Sequence, residues 1–216
     1  MALKFYLPSS GAAANTPAVK GTYTDSAQAD LLAAVTTRIS SAFTDKTINI
    51  ASNGGNVYYL IRRYLSAPIK AITLTASADH FDLSIRCKEG AADVNASLLF
   101  DMSFVSADGT TNRGTFYSGR PNTAEWATSL ASRSADDKVV TATRSAQEGD
   151  RVLIEIGCQA SIPADGTAAI NFGDDSATEL ALSDGDTDED TPWIQFNSDM
   201  QLVAGGISCP LTGVSG

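Results

Sequence analysis

Carboxylates are the residues of this chain that most invite a chemical reading. Asp184, Asp186, Asp188 and Asp190 alternate within the stretch 173–190, Glu189 lies among them, and Asp174 and Asp175 stand just upstream. Clustered carboxylate oxygens suit hard cations, so these four aspartates are the candidate metal ligands and Ca²⁺ the candidate ion. The pattern is not an EF-hand. Gly185 falls at the second loop position, where that motif sets its glycine at the sixth, and no helix is predicted on either side. The competing reading is a solvated acidic loop that keeps the surface anionic. No other cofactor is expected.

Other chemistry finds less to build on. His80 is the sole histidine, and it follows Asp79 at a predicted turn. One histidine permits a Ser-His-Asp triad in principle, but no G-x-S-x-G elbow marks a nucleophile. A three-histidine zinc site cannot be assembled, and Cys87, Cys158 and Cys209 contain no C-x-x-C pair. Phosphate loops of either glycine-rich type are absent from the sequence. A pair of acids for glycoside hydrolysis could come from Asp82, Asp101 and Glu155, but these alternate with apolar positions and are expected to point away from the core. Tyr58, Tyr59, Tyr64, Phe116, Tyr117 and Trp126 could stack on sugar rings; packing in a core or interface is the plainer use of such residues.

The elements that would position these groups are strands. From Gly149-Asp150, a turn signal, the chain continues with Val152, Ile154, Ile156, Cys158 and Ala160 on one parity. Arg151, Glu155, Gly157 and Gln159 fall on the other, with Leu153 the exception. Side chains alternate faces along a strand, so a long strand with one buried face is predicted over 150–160. Phe81, Leu83, Ile85 and Cys87 alternate in the same way, as do Leu98, Phe100, Met102 and Phe104. Asp108-Gly109 is a hairpin turn that returns the chain through 113–118. Further strands are predicted over 47–51, 58–65, 70–76, 138–143, 166–172 and 192–197. The stretch 30–39 fits both helix and strand and is assigned to strand for its β-branched residues. Residues 121–135 read as irregular around Trp126.

About ten strands with hardly any helix predict an all-β, antiparallel β-sandwich, jelly-roll-like, with extended terminal arms. Residues 1–20 form the N-terminal arm, 21–199 the single sandwich domain and 200–216 the C-terminal tail. The chain has 216 residues and a formal charge of −10, so one core can be buried without disulfides, and the surface repels nucleic acid. Cys87 and Cys158 fall on apolar strand faces and read as small core residues, which fits folding in a reducing cytoplasm. Neither a signal peptide nor a run long enough to span a bilayer is evident, so no membrane partner is expected.

Six stretches carry a resemblance. They are 63–69 (RYLSAPI), 112–115 (NRGT), 125–130 (EWATSL), 147–157 (QEGDRVLIEIG), 172–180 (FGDDSATEL) and 191–196 (TPWIQF). Together they resemble a broad group of structural proteins of tailed bacteriophages, over roughly residues 60–197, and the last three stretches are the most specific. The resemblance implies a virion component assembled in the host cytoplasm and no catalytic residues, so the chain is expected not to be an enzyme. A head decoration or cement protein is the expected role, with the major capsid protein as partner and a homo-oligomer, a trimer for preference, as the bound form. The terminal arms are the expected contact elements. The alternatives are a tail tube, tail-tip or fibre component, or a carbohydrate-binding module that uses Trp126.

Overall fold

A computed structural model describes residues 2–52, 55–161 and 165–204. Among the described residues there is no helix. The strands are β1 (Leu3–Tyr6), β2 (Asp30–Ala33), β3 (Thr44–Ile50), β4 (Val57–Leu65), β5 (Ile72–Leu74), β6 (His80–Ser84), β7 (Arg86–Glu89) and β8 (Ser97–Val105). They continue as β9 (Asn112–Gly119), β10 (Ala131–Ser132), β11 (Ala135–Val139), β12 (Arg144–Ala146), β13 (Arg151–Ala160), β14 (Gly166–Phe172) and β15 (Trp193–Phe196). The all-β sandwich expected from the alternation is what forms.

One layer is a five-stranded sheet in the order β2-β4-β13-β8-β9. The facing layer comes from two four-stranded sheets, β1-β15-β6-β11 and β10-β7-β14-β3. The pairing is nested: β1 takes β15, β3 takes β14 and β4 takes β13, all antiparallel, so the start of the chain is rolled against its end. β2 is the exception, running parallel to β4. The core lies between the layers. Tyr64 of β4 meets Phe172 of β14 at 5.6 Å between ring centroids, and Tyr117 of β9 meets Phe81 of β6 at 4.6 Å. Phe104, Phe116 and Phe196 continue the stack. Each such ring, fully buried, contributes about 1.5–3 kcal/mol before ordering entropy is subtracted.

Several expectations change at their edges. Phe81 to Cys87 is not one strand. The alternation continues through Ile85, but there the chain passes from one sheet to the other, and the Ile85 carbonyl accepts from the Arg133 amide at 2.7 Å. The strand predicted over 30–39 stops at Ala33, and of the one over 138–143 only Lys138 and Val139 are strand, the end of β11. Residues 121–135 are irregular as expected, apart from the two-residue β10 and Ala135, which opens β11.

The largest correction concerns the outer face of the five-stranded sheet. A sandwich strand is expected to bury one face, yet all nine residues of β8 are buried, and so are Leu153, Glu155 and Gly157 of β13. The cover is the chain's own N-terminal part. Residues 2–20, expected as an extended contact arm, lie on their own subunit. β1 pairs with β15, and Phe5 and Leu7 are core residues. Residues 9–29 then form a strap across the outer face. Ala13 and Leu31 pack on a small second core of Leu65, Val105 and Leu153. From Ala12 to Ser26 the strap follows a two-residue period, broken at Lys20. Ala13, Asn15, Pro17, Val19, Gly21, Tyr23 and Asp25 are wholly or partly buried, while Ala12, Ala14, Thr16, Ala18, Thr22, Thr24 and Ser26 are exposed. Of the tail predicted over 200–216, Met200 is buried and Leu202 bridges Ile69; residues 205–216, with Cys209, lie outside the described residues.

Candidate functional site

The acidic stretch between β14 and β15 does not gather its carboxylates. Among the described residues no three His, Cys, Asp or Glu side chains come together in a way that could hold a metal ion. Three of the four have local partners of their own. Asp184 Oδ1 accepts from Asn122 Nδ2 at 3.1 Å, Asp186 Oδ1 from the Asp188 amide at 3.0 Å, and Asp190 Oδ1 from Ser176 Oγ at 3.1 Å. Alternation in an irregular loop, unlike alternation in a strand, does not place side chains on one side, and that is why the predicted ligand set disperses. The loop is tied down through its backbone instead. The Ser132 amide donates to the Asp186 carbonyl at 2.7 Å, Ser132 Oγ donates to the Ser183 carbonyl, and the Arg86 guanidinium donates to the Thr187 carbonyl.

Arg86 is the residue that sequence reasoning missed here. It is 4% exposed, and Asp186, Asp188, Glu189 and Asp45 surround it. Burial pulls its pKa below the ordinary arginine value, while those carboxylates push it back up. The loop is therefore a lid of negative charge on a buried cation. At its two ends the specific sequence motifs meet. Thr191 Oγ1 donates to Asp174 Oδ1 at 3.1 Å, the Ile39 amide donates to Asp174 Oδ2 at 2.7 Å, and Trp193 Nε1 donates to the Leu180 carbonyl at 2.8 Å.

The second cluster lies under the strap. Glu155 and Asp101 are direct partners across β13 and β8, and Arg63 flanks Glu155 on β4. These acids were expected on an open face; they are 1% and 2% exposed. The strap approaches them with backbone. The Gly21 amide donates to Glu155 Oε2 at 2.6 Å, and the Lys20 amide lies 3.0 Å from both carboxylate oxygens. Arg63 Nη1 donates to the Pro17 carbonyl at 2.7 Å, and Tyr23 lays its ring over Gly157. Two glycines make this approach feasible. A Cβ on Gly21 would sit 2.2 Å from Asp101 Oδ2, and one on Gly157 would sit 2.1 Å from the Tyr59 carbonyl oxygen. Burial lifts the Glu155 carboxyl above its ordinary range; the Gly21 and Lys20 amides and Arg63 pull against this, and the Asp101 charge adds to it. With both carboxylates covered by their own chain, this face offers no cleft for a polysaccharide.

The remaining candidates separate. Asp82 lies at the surface and accepts from the Asp137 amide at 2.8 Å. His80 opens β6, with its Nδ1 2.7 Å from Asp137 Oδ1. The aromatics considered for stacking on sugars are interior: Tyr59, Tyr64, Phe116, Tyr117 and Trp126 are at most 6% exposed, and only Tyr58 is partly open. Cys87 and Cys158 are free thiols in the core, and burial raises the pKa of both. A concavity of about 420 Å³ lies between the strap and the chain after β2, with Ala12, Val35, Ile39, Leu65 and Leu202 on its walls. No helix among the described residues is long and apolar enough to cross a membrane.

No family model matches the chain, and no curated protein does. Solved structures do. One is a CocE/NonD family hydrolase from Staphylococcus aureus, at 10% identity and TM-score 0.31 over 91% of this chain and 34% of the hydrolase. Another is the VP2 subviral particle of infectious bursal disease virus, at 10% identity and TM-score 0.27 over 79% of this chain and 44% of VP2. The chain thus spans less than half the length of either. The expectation that this chain is not an enzyme is corrected by the first: a hydrolase stands among the folds it is similar to, so the exclusion of enzymes does not hold. A structure of infectious bursal disease virus, Gx strain, is similar as well, at 13% identity and TM-score 0.23 over 80% of this chain and 40% of that one.

Proposed function

We propose that this chain is a structural subunit of a bacteriophage virion, a head decoration or cement protein that binds the assembled capsid. Binding the shell and not its dispersed subunits would stabilise the shell by mass action. The major capsid protein is the partner in this reading, a homo-oligomer is the bound form, and the virion, assembled in the host cytoplasm, is the location.

The observation that carries the reading is the use made of the resembling stretches. They resemble those of phage structural proteins, and in this fold they are framework. Residues 147–157 include most of β13, the central strand of the five-stranded sheet. Residues 172–180 and 191–196 are tied to each other by Asp174 with Thr191 and by Leu180 with Trp193. The N-terminal segment belongs to the same framework through β1 and the strap.

The test is to mix the purified protein with capsids that lack it. The expected result is sedimentation with assembled heads, none with free capsid subunits, and a higher temperature of head disruption. Density for the chain on the tail, or heads whose heat resistance does not change, would overturn the head assignment.

A further inference from the structure

We propose that the strap over 9–29 is a pH-operated latch on the Glu155–Asp101 pair, held shut in acid and loosened as the solution becomes more alkaline. The inference does not rest on the virion reading.

The geometry is that of a cover closed onto charge. The Glu155 carboxylate is held by three short contacts from strap amides, at 2.6, 3.0 and 3.0 Å, while it faces a second carboxylate across the strands. Charged and titratable side chains face it from three elements. Arg63 comes from β4, Asp101 from β8, and Tyr23 from the strap itself, its phenol kept neutral by burial and by the two acids. One guanidinium thus stands against two carboxylates, and that guanidinium also spends a donor on Pro17. Asp101 Oδ1 has no hydrogen-bond partner among the described residues. A buried anion with an uncompensated neighbour favours whatever removes a charge, and here that is a proton on Glu155.

The sign follows from linkage. Burial holds the covered Glu155 above its ordinary range, so the closed strap binds that proton more tightly than the open one does. Closure is therefore fully favoured below the ordinary glutamate range and is weakened as pH rises through the covered value, beyond which no more is lost. Opening would expose the strap and the outer face beneath it, Leu65, Val105 and Leu153 included, while the core between the layers stays covered on the other face of the sheet.

Amide hydrogen exchange on the full chain reads this directly at Lys20 and Gly21, once the intrinsic pH dependence of exchange is divided out. The strap-opening constant is expected to rise with pH by up to about tenfold per unit across the window between the open and covered values, then level off. Glu155→Gln, an uncharged stand-in for the protonated acid, is expected to keep acid-level protection at every pH. Gly21→Ala, whose Cβ meets Asp101, is expected to lower protection at every pH and leave the pH dependence in place. Asp101→Asn, which removes the facing charge, is expected to move the window to lower pH, and it decides the matter if the glutamine variant fails to fold. Protection independent of pH in the native chain would overturn the proposal. So would an unaltered pH dependence in Glu155→Gln, or an unmoved window in Asp101→Asn.

Discussion

The strap and the acidic loop are both irregular covers laid over a charge that the strands bury, and they are built with opposite polarity. The strap has Lys20 and Asp25 as its only charged residues and turns amide N–H groups toward Glu155. The loop is rich in Asp and Glu and turns a carbonyl toward Arg86, with its carboxylates arrayed around the same cation. A backbone can solvate either sign, since every non-proline residue carries one donor and one acceptor. The composition of a cover therefore does not reveal what it covers. The loop carries the charges of a cation site, and its carboxylates are arrayed around the Arg86 side chain. The strap announced nothing and hides the chain's most deeply buried pair of acids.

The two covers also differ in how rigidly the framework needs them, and substitution separates them by size of effect. The largest is expected at Gly157, where the strap and β4 both close on the backbone of β13. A Cβ there would lie 2.1 Å from the Tyr59 carbonyl oxygen, which is main chain and cannot rotate away, and 3.1 Å from the Tyr23 ring. Gly157→Ala is expected to cost about 3 kcal/mol, the upper part of the overpacking range, and to lower the melting temperature by roughly 6–12 °C. A melt within a degree or two of the native chain would mean that β4 and the strap yield easily, and the contrast in rigidity drawn here would fail.

Next in size is Arg86→Met, which leaves the loop's carbonyl without its donor and the carboxylates without their cation. The expected cost is about 2–3 kcal/mol, the worth of a hydrogen bond to a charged group together with the pairing that goes with it. The loss should shrink at high salt, because the loop carboxylates lie at the surface, where salt screens the repulsion that the lost cation had offset. Denaturant titration at low and high ionic strength checks both parts. A cost unchanged by salt would reduce Arg86 to a packing residue over the sheet.

The same comparison shows what was legible in the sequence. β8, β13 and the run from Phe81 to Cys87 declared themselves, because apolar residues recurred at every second position against polar ones. The other half of that contrast misled. Asp101 and Glu155 were polar where polarity implies water, and nothing local says that a distant segment supplies amides in its place. The strap does carry a period of two, with Pro17, Val19 and Tyr23 on its inner side. Its outer residues are Ala and Thr, so the hydrophobic contrast is too shallow to read as a strand. The passage of the chain between sheets at Ile85 was invisible for the opposite reason: the alternation continued without a break while the hydrogen-bond partners changed. In the loop the charges were legible, but their convergence was not, because side-chain direction in irregular backbone is set by contacts such as Asn122 with Asp184 and Ser176 with Asp190.

The smallest expected effect lies where the loop meets β1, the strand that precedes the strap. Glu179, at the start of the acidic loop, accepts from Tyr6 Oη at 2.7 Å and from Lys4, both on β1, and Arg38 lies 3.8 Å away. Burial pushes its carboxyl up, but the Lys4 and Tyr6 hydrogen bonds and the charges of Lys4 and Arg38 outweigh that and hold it below its ordinary range. Its sign is then opposite to that of Glu155: the contribution is present above the unfolded value and is lost as pH falls through the folded one. The side chain is 36% exposed, so solvent and salt discount the charge, and Glu179→Gln is expected to cost about 0.5–1 kcal/mol near neutral pH. Well below the ordinary glutamate range the variant and native chains should melt together, since both are then uncharged at this position. Melts at the two pH values decide it. If the deficit of Glu179→Gln persists in acid, hydrogen-bond geometry and not charge ties β1 to the loop, and the opposed pH response of the two ends of the N-terminal segment disappears.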